Sequence, residues 1–201
     1  MKVLPKYFLY FYAMFAKNKL KPLPGRLLVA EPYLHDSHFK RAVVLLVEHN
    51  EKGSVGFILN KPLEFNVADA INNFPAFDSK ACYGGPVHGD QLYFVHTLGT
   101  KIKDSIPIGN GLFWLGNFEE VKLLILANLI DSSQIIFFVG YAGWEVGQLE
   151  KEILEKSWFV SNSDHALIFK TDSSAMWTET VKKMGKSFAQ MVNFPKDPSM
   201  N

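Results

Sequence analysis

The chain has 201 residues, of which 48% are hydrophobic and 20% are charged, and 21 Lys and Arg side chains against 20 Asp and Glu give a formal charge of +1. This length suits one globular domain that buries roughly 70% of its extended-chain surface. Proteins that bind duplex DNA usually carry an excess of basic side chains, and this chain has none overall, so nucleic acid is a disfavoured partner.

The first 22 residues are predicted to be an N-terminal extension, because they contain lysines and no acidic side chain. Within them, residues 7–16 (YFLYFYAMFA) are apolar but too few to span a bilayer, which needs roughly 20. Three interpretations stay open: a weak signal peptide, a basic helix resting on a membrane or a partner, or translation that starts at Met14. The Met14 start is favoured, and membrane contact is expected only if residues 1–16 are part of the native protein.

The domain itself is predicted to cover residues 23–193, with a C-terminal tail at 194–201. Its first strand is expected at 26–30, where the sequence reads RLLVA. Apolar runs at 42–47 and 55–59 flank a polar turn with Asn and Gly, which is typical of a β-hairpin. The first run has six apolar residues without alternation, so it is expected to be a central strand covered on both faces.

The remaining elements follow from periodicity, caps and punctuation. Asn66 and Asn117 are expected to cap helices, the second with Glu120 in a capping box. Residues 135–144 (IIFFVGYAGW) form the second unbroken apolar run and predict another central strand. The predicted helices span 66–74, 117–130, 146–156 and from 173 or 174 to 184, with Gly185 ending the last; further strands are expected at 91–97, 112–115, 157–161 and 166–169, and an irregular tail after 185.

The helices are too few and too unevenly placed for a regular βαβ alternation. The predicted fold class is therefore α+β, with a mixed, mainly antiparallel sheet that curves around the core and has helices packed on it.

Sequence motifs exclude several chemistries. The chain has no GxxxxGK[ST] phosphate loop and no GxSxG nucleophile motif. The loop His35-Asp36-Ser37-His38 offers two imidazoles, but a metal needs three or four converging ligands, so the loop is expected to be solvated. Cys82 is the only cysteine, which excludes an internal disulfide and favours a cytoplasmic location. No cofactor and no metal site are predicted.

Polar side chains cluster at the ends of the two central strands. Glu48 and His49 end the first run, where they could act as an acid/base pair, or the run could simply turn polar as it leaves the core. Trp144 and Gln148 stand where the second run meets a predicted helix, and ligands often bind beyond strand ends. The alternative is that Trp144 packs in the core and Gln148 hydrogen-bonds a loop.

Four segments together resemble one bacterial protein family. They are GRLLVAEPYLHDSHFKRAVVLLVEHNEKGSVGFILNKPL (25–63), YGGPV (83–87), HTLG (96–99) and GYAGWEVGQLEKEI (140–153). The chain resembles the AlgH/YqgE family over about residues 23–193, in the form found in Bacteroidetes-type bacteria.

The resemblance implies a single α+β domain whose sheet folds into a pseudo-barrel, without an established activity or cofactor. We therefore expect a cytoplasmic binding or accessory protein with an unknown protein or small-molecule partner. The alternatives are a transcriptional regulator, as a family label suggests, and a hydrolase that uses Glu48 and His49. The candidate pocket combines the motif positions of both strand ends: Glu48, His49, Asn50, Asn60, Gly84, Gly85, Trp144, Gln148 and Glu150.

Overall fold

The computed structural model describes residues 18–195, which form ten strands and six α-helices. The predictions for residues 1–17 and 196–201 lie outside this range. The strands are β1 Arg26–Ala30, β2 Val43–Asn50, β3 Gly53–Ile58, β4 Pro62–Asn66, β5 Lys80–Tyr83, β6 Val87–His96, β7 Ile106–Gly109, β8 Leu112–Trp114, β9 Ile135–Trp144 and β10 Trp158–Asn162; the helices are α1 Val67–Ala70, α2 Phe118–Leu126, α3 Gln148–Leu154, α4 His165–Lys170, α5 Ser173–Lys183 and α6 Lys186–Ala189.

One mixed sheet contains all ten strands. Its main order is β10-β1-β2-β3-β9-β6-β8-β7, while β5 pairs with both β4 and β9. Only the β5–β9 pair is parallel among the pairings of residues 18–195. The sheet does not close, but Ser163, which follows β10, accepts a hydrogen bond from Asn110 at 3.1 Å and donates one to the carbonyl of Gly25. The predicted α+β class with a mainly antiparallel, curved sheet is confirmed.

The two long apolar runs lie at the centre of the molecule, as predicted. Every residue from 42 to 47 is buried, and β9 pairs with β6 on one side and with β5 and β3 on the other. Because successive strand residues point to opposite faces, β2 contributes to two cores. Val43 and Leu45 pack with α4, α5 and α6, whereas Val44 and Leu46 pack beneath α3. A third cluster, around Phe137, packs beneath α2.

The predicted strand at 166–169 is wrong, because residues 165–170 form α4. A four-residue apolar run does not distinguish a strand from a buried helix. The carboxylate of Asp164 accepts a hydrogen bond from the Leu167 amide at 2.7 Å and caps the helix. The predicted irregular segment after Gly185 is also wrong in part, because α6 follows immediately and buries Phe188.

Helix ends and faces needed further corrections. Helix α1 is only four residues long, and Asn66 makes no capping hydrogen bond. Asn117 does accept a bond from the Glu120 amide, but the Glu120 carboxylate binds Lys103 instead of completing the capping box. Leu129 lies beyond the end of α2 and is 65% exposed, and Leu154 is the last residue of α3 and is 80% exposed.

Among residues 18–195, no helix is both long enough and apolar enough to cross a bilayer.

Candidate functional site

A groove of about 550 Å³ lies where the tip of the β2–β3 hairpin meets the end of β9. The register of the sheet creates it, because Glu48 pairs with Val55 and Val55 pairs with Gly143. Four predicted pocket residues line the groove. The full lining is Glu48, Asn50, Lys52, Gly53, Ser54, Val55, Val87, Tyr141, Gly143, Trp144, Glu145 and Gln148.

The groove combines an apolar interior with an acidic rim. Val55, Val87 and Tyr141 supply apolar and aromatic surface. The charged lining residues are two carboxylates, Glu48 and Glu145, and one ammonium group, that of Lys52. The lining therefore carries one more negative than positive charge and favours a cationic group over an anionic one.

Gly143 keeps the floor of the groove open. It is exposed although it lies in β9, and a Cβ placed there would lie 3.1 Å from Cε2 of Tyr141 and 3.8 Å from Cγ2 of Val87. Any side chain at this position would therefore enter the groove and press on the Tyr141 ring. A glycine within a strand often marks a position where a ligand or another main chain approaches the backbone closely.

Glu152 holds the wall of the groove in place. Its Oε2 accepts hydrogen bonds from the indole nitrogens of Trp144, at 2.9 Å, and Trp158, at 2.8 Å. Its Oε1 accepts a bond from Gln148 at 2.9 Å, and Gln148 in turn accepts one from the amide of Glu145 at 2.9 Å. One carboxylate therefore joins α3 to both β9 and β10.

His49 turns away from the groove. Its Nδ1 lies 2.8 Å from Oγ of Ser54, and its Nε2 lies 3.5 Å from the carboxylate of Glu150. Because His49 and Glu48 are successive strand residues, they point to opposite sides and do not converge on one atom as an acid/base pair must. Ser54 is only 5% exposed, and its hydroxyl is hydrogen-bonded to His49. The His49, Ser54 and Glu150 side chains therefore connect the hairpin to α3.

Three other predicted pocket residues, Asn60, Gly84 and Gly85, lie outside the groove and stabilise the fold. Asn60 lies at the opposite end of the hairpin, where its carboxamide accepts a bond from the Val43 amide and donates one to the Arg41 carbonyl, both at 2.9 Å. Gly84 and Gly85 pass so close to β9 that a Cβ on either would lie within 2.4 Å of its main chain. They pack against the main chain of β9 and do not line the groove.

Titratable groups outside the groove are explained by the fold. Burial raises the pKa of the Cys82 thiol to about 11, so it is protonated at neutral pH. His96 is fully buried and accepts a hydrogen bond from the Leu98 amide at 3.2 Å, and burial lowers its pKa. In the loop at 35–38, His38 bonds the Tyr83 hydroxyl at 2.6 Å. No group of three His, Cys, Asp or Glu within the described part of the chain is placed to hold a metal.

Comparison with solved structures defines the class of protein to which this fold belongs. The crystal structure of protein DIP2367 from Corynebacterium diphtheriae superposes with a TM-score of 0.76, covering 90% of this chain and 97% of that one at 23% identity. The solution structure of the AlgH protein from Pseudomonas aeruginosa superposes with a TM-score of 0.69, covering 88% and 97% at 26% identity. The fold is that of these bacterial α+β proteins.

Sequence comparison then identifies the family. The family model described as AlgH-like matches residues 27–189. The UPF0301 protein of Chlorobaculum tepidum is 43% identical over 178 residues, which cover 89% of this chain and 95% of that protein. The UPF0301 protein of Bacteroides fragilis is 40% identical over 185 residues, covering 92% and 94%. The chain belongs to the AlgH-like family, as its motifs predicted.

Proposed function

We propose that the protein is a binding module whose groove holds a small ligand with a protonated amine and an apolar or aromatic body. One observation carries the proposal: the lining of the groove of about 550 Å³ contains two carboxylates, one ammonium group and the apolar or aromatic side chains of Val55, Val87 and Tyr141. Ligand sites of this size usually combine apolar walls with a few polar groups that fix orientation. The lone cysteine, which excludes an internal disulfide, supports a cytoplasmic location for this module.

Each part of the ligand has a counterpart in the groove. An ammonium group can bind the carboxylate of Glu48, since hydrogen bonds between ionised groups are about twice as strong as neutral ones. An aromatic body can pack against Tyr141 and Val87, and the open floor at Gly143 leaves room for it. A phosphate-rich ligand such as DNA fits poorly, because the carboxylates outnumber the lysine.

A matched pair of probes tests the charge requirement. Phenethylamine and phenylacetate share an aromatic body and carry opposite charges, so titration of ¹⁵N-labelled protein with each compares only the sign of the charge. We expect phenethylamine to shift the amide signals of Gly53, Val55 and Gly143, and phenylacetate to shift them much less. Glu48→Gln should weaken phenethylamine binding by about tenfold, the effect of one charge-assisted hydrogen bond.

A second pair of variants tests the location. Gly143→Val places a side chain on the groove floor and should abolish the shifts, whereas Gly89→Val adds the same side chain where no atom lies within 4 Å of the new Cβ. Equal binding by both variants, or stronger binding of phenylacetate, would contradict the proposal. A salt-dependent shift of duplex DNA by the pure protein would favour the regulator alternative instead.

A further inference from the structure

The groove beside the hairpin tip contains charges of both signs that do not pair with one another. Glu48, Glu145 and Lys52 all line it, yet within residues 18–195 none of these three side chains forms an ion pair or a hydrogen bond. Opposite charges that share a groove without pairing leave each charge to a ligand. The groove therefore presents an anion and a cation to the same molecule.

Asn50 adds a hydrogen-bond donor beside Lys52. Its Oδ1 accepts a bond from the Lys52 amide at 2.8 Å, and its Nδ2 has no partner in the described part of the chain. A carboxamide nitrogen carries two N–H donors and no acceptor. The hairpin tip therefore offers an ammonium group and an amide donor, a combination that suits a carboxylate.

Gln148, by contrast, has no capacity left for a ligand. Its Oε1 accepts a bond from the Glu145 amide and its Nε2 donates to Glu152, both at 2.9 Å. Gln148 therefore positions the wall of the groove. The polar groups that can bind a ligand are the two carboxylates, the ammonium group of Lys52 and the amide nitrogen of Asn50.

The sheet places these groups at useful separations. Glu48 and Asn50 are alternate residues of β2, so they point to the same side, with main chains roughly 7 Å apart at the usual rise of a strand. The ammonium and the carboxylate of one α-amino acid can therefore reach both side chains. Glu145 follows β9, two strands away from Glu48, which is roughly 10 Å at the usual strand spacing. A second cationic group at the end of a short chain can reach it.

We infer that the ligand of the groove is a free basic α-amino acid of the lysine type. The inference rests on the proposed function and names the ligand class of the same groove. The lining has two negative charges and one positive charge, and a basic amino acid has the reverse. Its α-ammonium binds Glu48, its α-carboxylate binds Lys52 and Asn50, and its side-chain cation binds Glu145.

The apolar part of the groove receives the stem of such a ligand. Val55 pairs with both Glu48 and Gly143, so it lies between the two acidic ends of the groove, and Tyr141 lines the same groove. Long cationic side chains bury their methylene groups along apolar surface and keep the charged end in polar surroundings. The groove provides both environments in that order.

Three small molecules test each contact on the full chain. Cadaverine is lysine without the carboxylate, and Nα-acetyl-lysine is lysine without the α-ammonium. We expect lysine to bind about tenfold more tightly than either, the effect of one charge-assisted contact. Isothermal titration calorimetry gives the affinities, and NMR shifts of the Asn50, Lys52 and Gly143 amides locate the ligand.

Two variants assign the carboxylate contact. Lys52→Met removes the ammonium group, and Asn50→Asp keeps an acceptor for the Lys52 amide while replacing the free donor by an oxygen. Each should reduce the preference for lysine over cadaverine to about onefold and leave cadaverine bound. The matched control is Lys101→Met, which changes an exposed lysine outside the groove and should keep the tenfold preference.

The outcomes separate this inference from the proposed function. Cadaverine that binds as tightly as lysine, or a preference that survives in both variants, would overturn the amino-acid assignment while the groove remained an amine site. Nα-acetyl-lysine that binds as tightly as lysine would also overturn it and indicate the C-terminus of a peptide. Phenethylamine that binds when neither lysine nor cadaverine does would refute the inference alone, and loss of all three amines would refute the proposed function as well.

Discussion

The largest effect of a single substitution on the free energy of unfolding is expected at Glu152, although this residue does not line the groove. Replacement by Ala removes the acceptor of two indole N–H groups that lie on tryptophans only 6% and 1% exposed, Trp144 and Trp158. A buried donor without a partner costs about 1–3 kcal/mol. The two donors together predict a loss of roughly 2–6 kcal/mol in the free energy of unfolding for Glu152→Ala.

Urea denaturation followed by circular dichroism measures this loss. Glu152→Gln keeps an acceptor oxygen and should lose only about 1–2 kcal/mol, the difference between a charged and a neutral hydrogen bond. The matched control is Glu155→Ala, directly after the last residue of α3, where an exposed ion pair with Lys151 is worth less than about 1 kcal/mol. If Glu152→Ala is no less stable than the control, the assignment of Glu152 as the anchor of α3 is incorrect.

Three further predictions concern groups outside the groove. Burial lowers the pKa of His96, so the unfolded state takes up a proton more readily, and the free energy of unfolding should be highest above about pH 6.5 and fall as the pH drops below it. Urea denaturation at pH values from 8 to 5 measures this dependence. The free energy of unfolding should depend less on pH in His96→Gln, but not in a variant of the exposed His35. Because the Cys82 thiol has a pKa of about 11, it should react with iodoacetamide at pH 8 only when the protein unfolds. Mass spectrometry of protein labelled at increasing urea concentrations tests this, and modification of Cys82 below the unfolding transition would contradict it. Asn60→Ala removes the hydrogen bonds of the Asn60 side chain to the Val43 amide and the Arg41 carbonyl, and it should lower the free energy of unfolding by about 1–3 kcal/mol. The affinity for phenethylamine should not change.

Much of the fold follows from local pattern. The run at 42–47 is unbroken, so its burial on both faces was predictable, whereas in the run at 135–144 Ile136, Val139 and Tyr141 are only half-buried and Gly143 is exposed. Short segments were not predictable in this way. The four apolar residues of α4 fit strand and helix equally, and only Asp164 before them signals a helix start. Strands β4 and β5 depend on pairing with distant segments, which no local pattern reports.

The lining of the groove was predictable only where polar residues interrupt the strand ends. Glu48, Asn50, Trp144 and Gln148 were predicted to lie together, and they line one groove. Tyr141 and other apolar lining residues gave no signal, because their convergence depends on strand register. The sequence did not distinguish Glu152 from the other charged residues of α3. Its spacing of four residues from Gln148 and eight from Trp144 is the one pattern that could have indicated it.

The central claim is that the groove beside the hairpin tip holds a cationic, partly apolar small molecule. Native mass spectrometry of the protein purified from its own host, compared with Gly143→Val purified in the same way, tests it most directly. The account predicts a basic adduct on the unaltered protein that the variant lacks. An acidic adduct, or one that Gly143→Val retains, would contradict it.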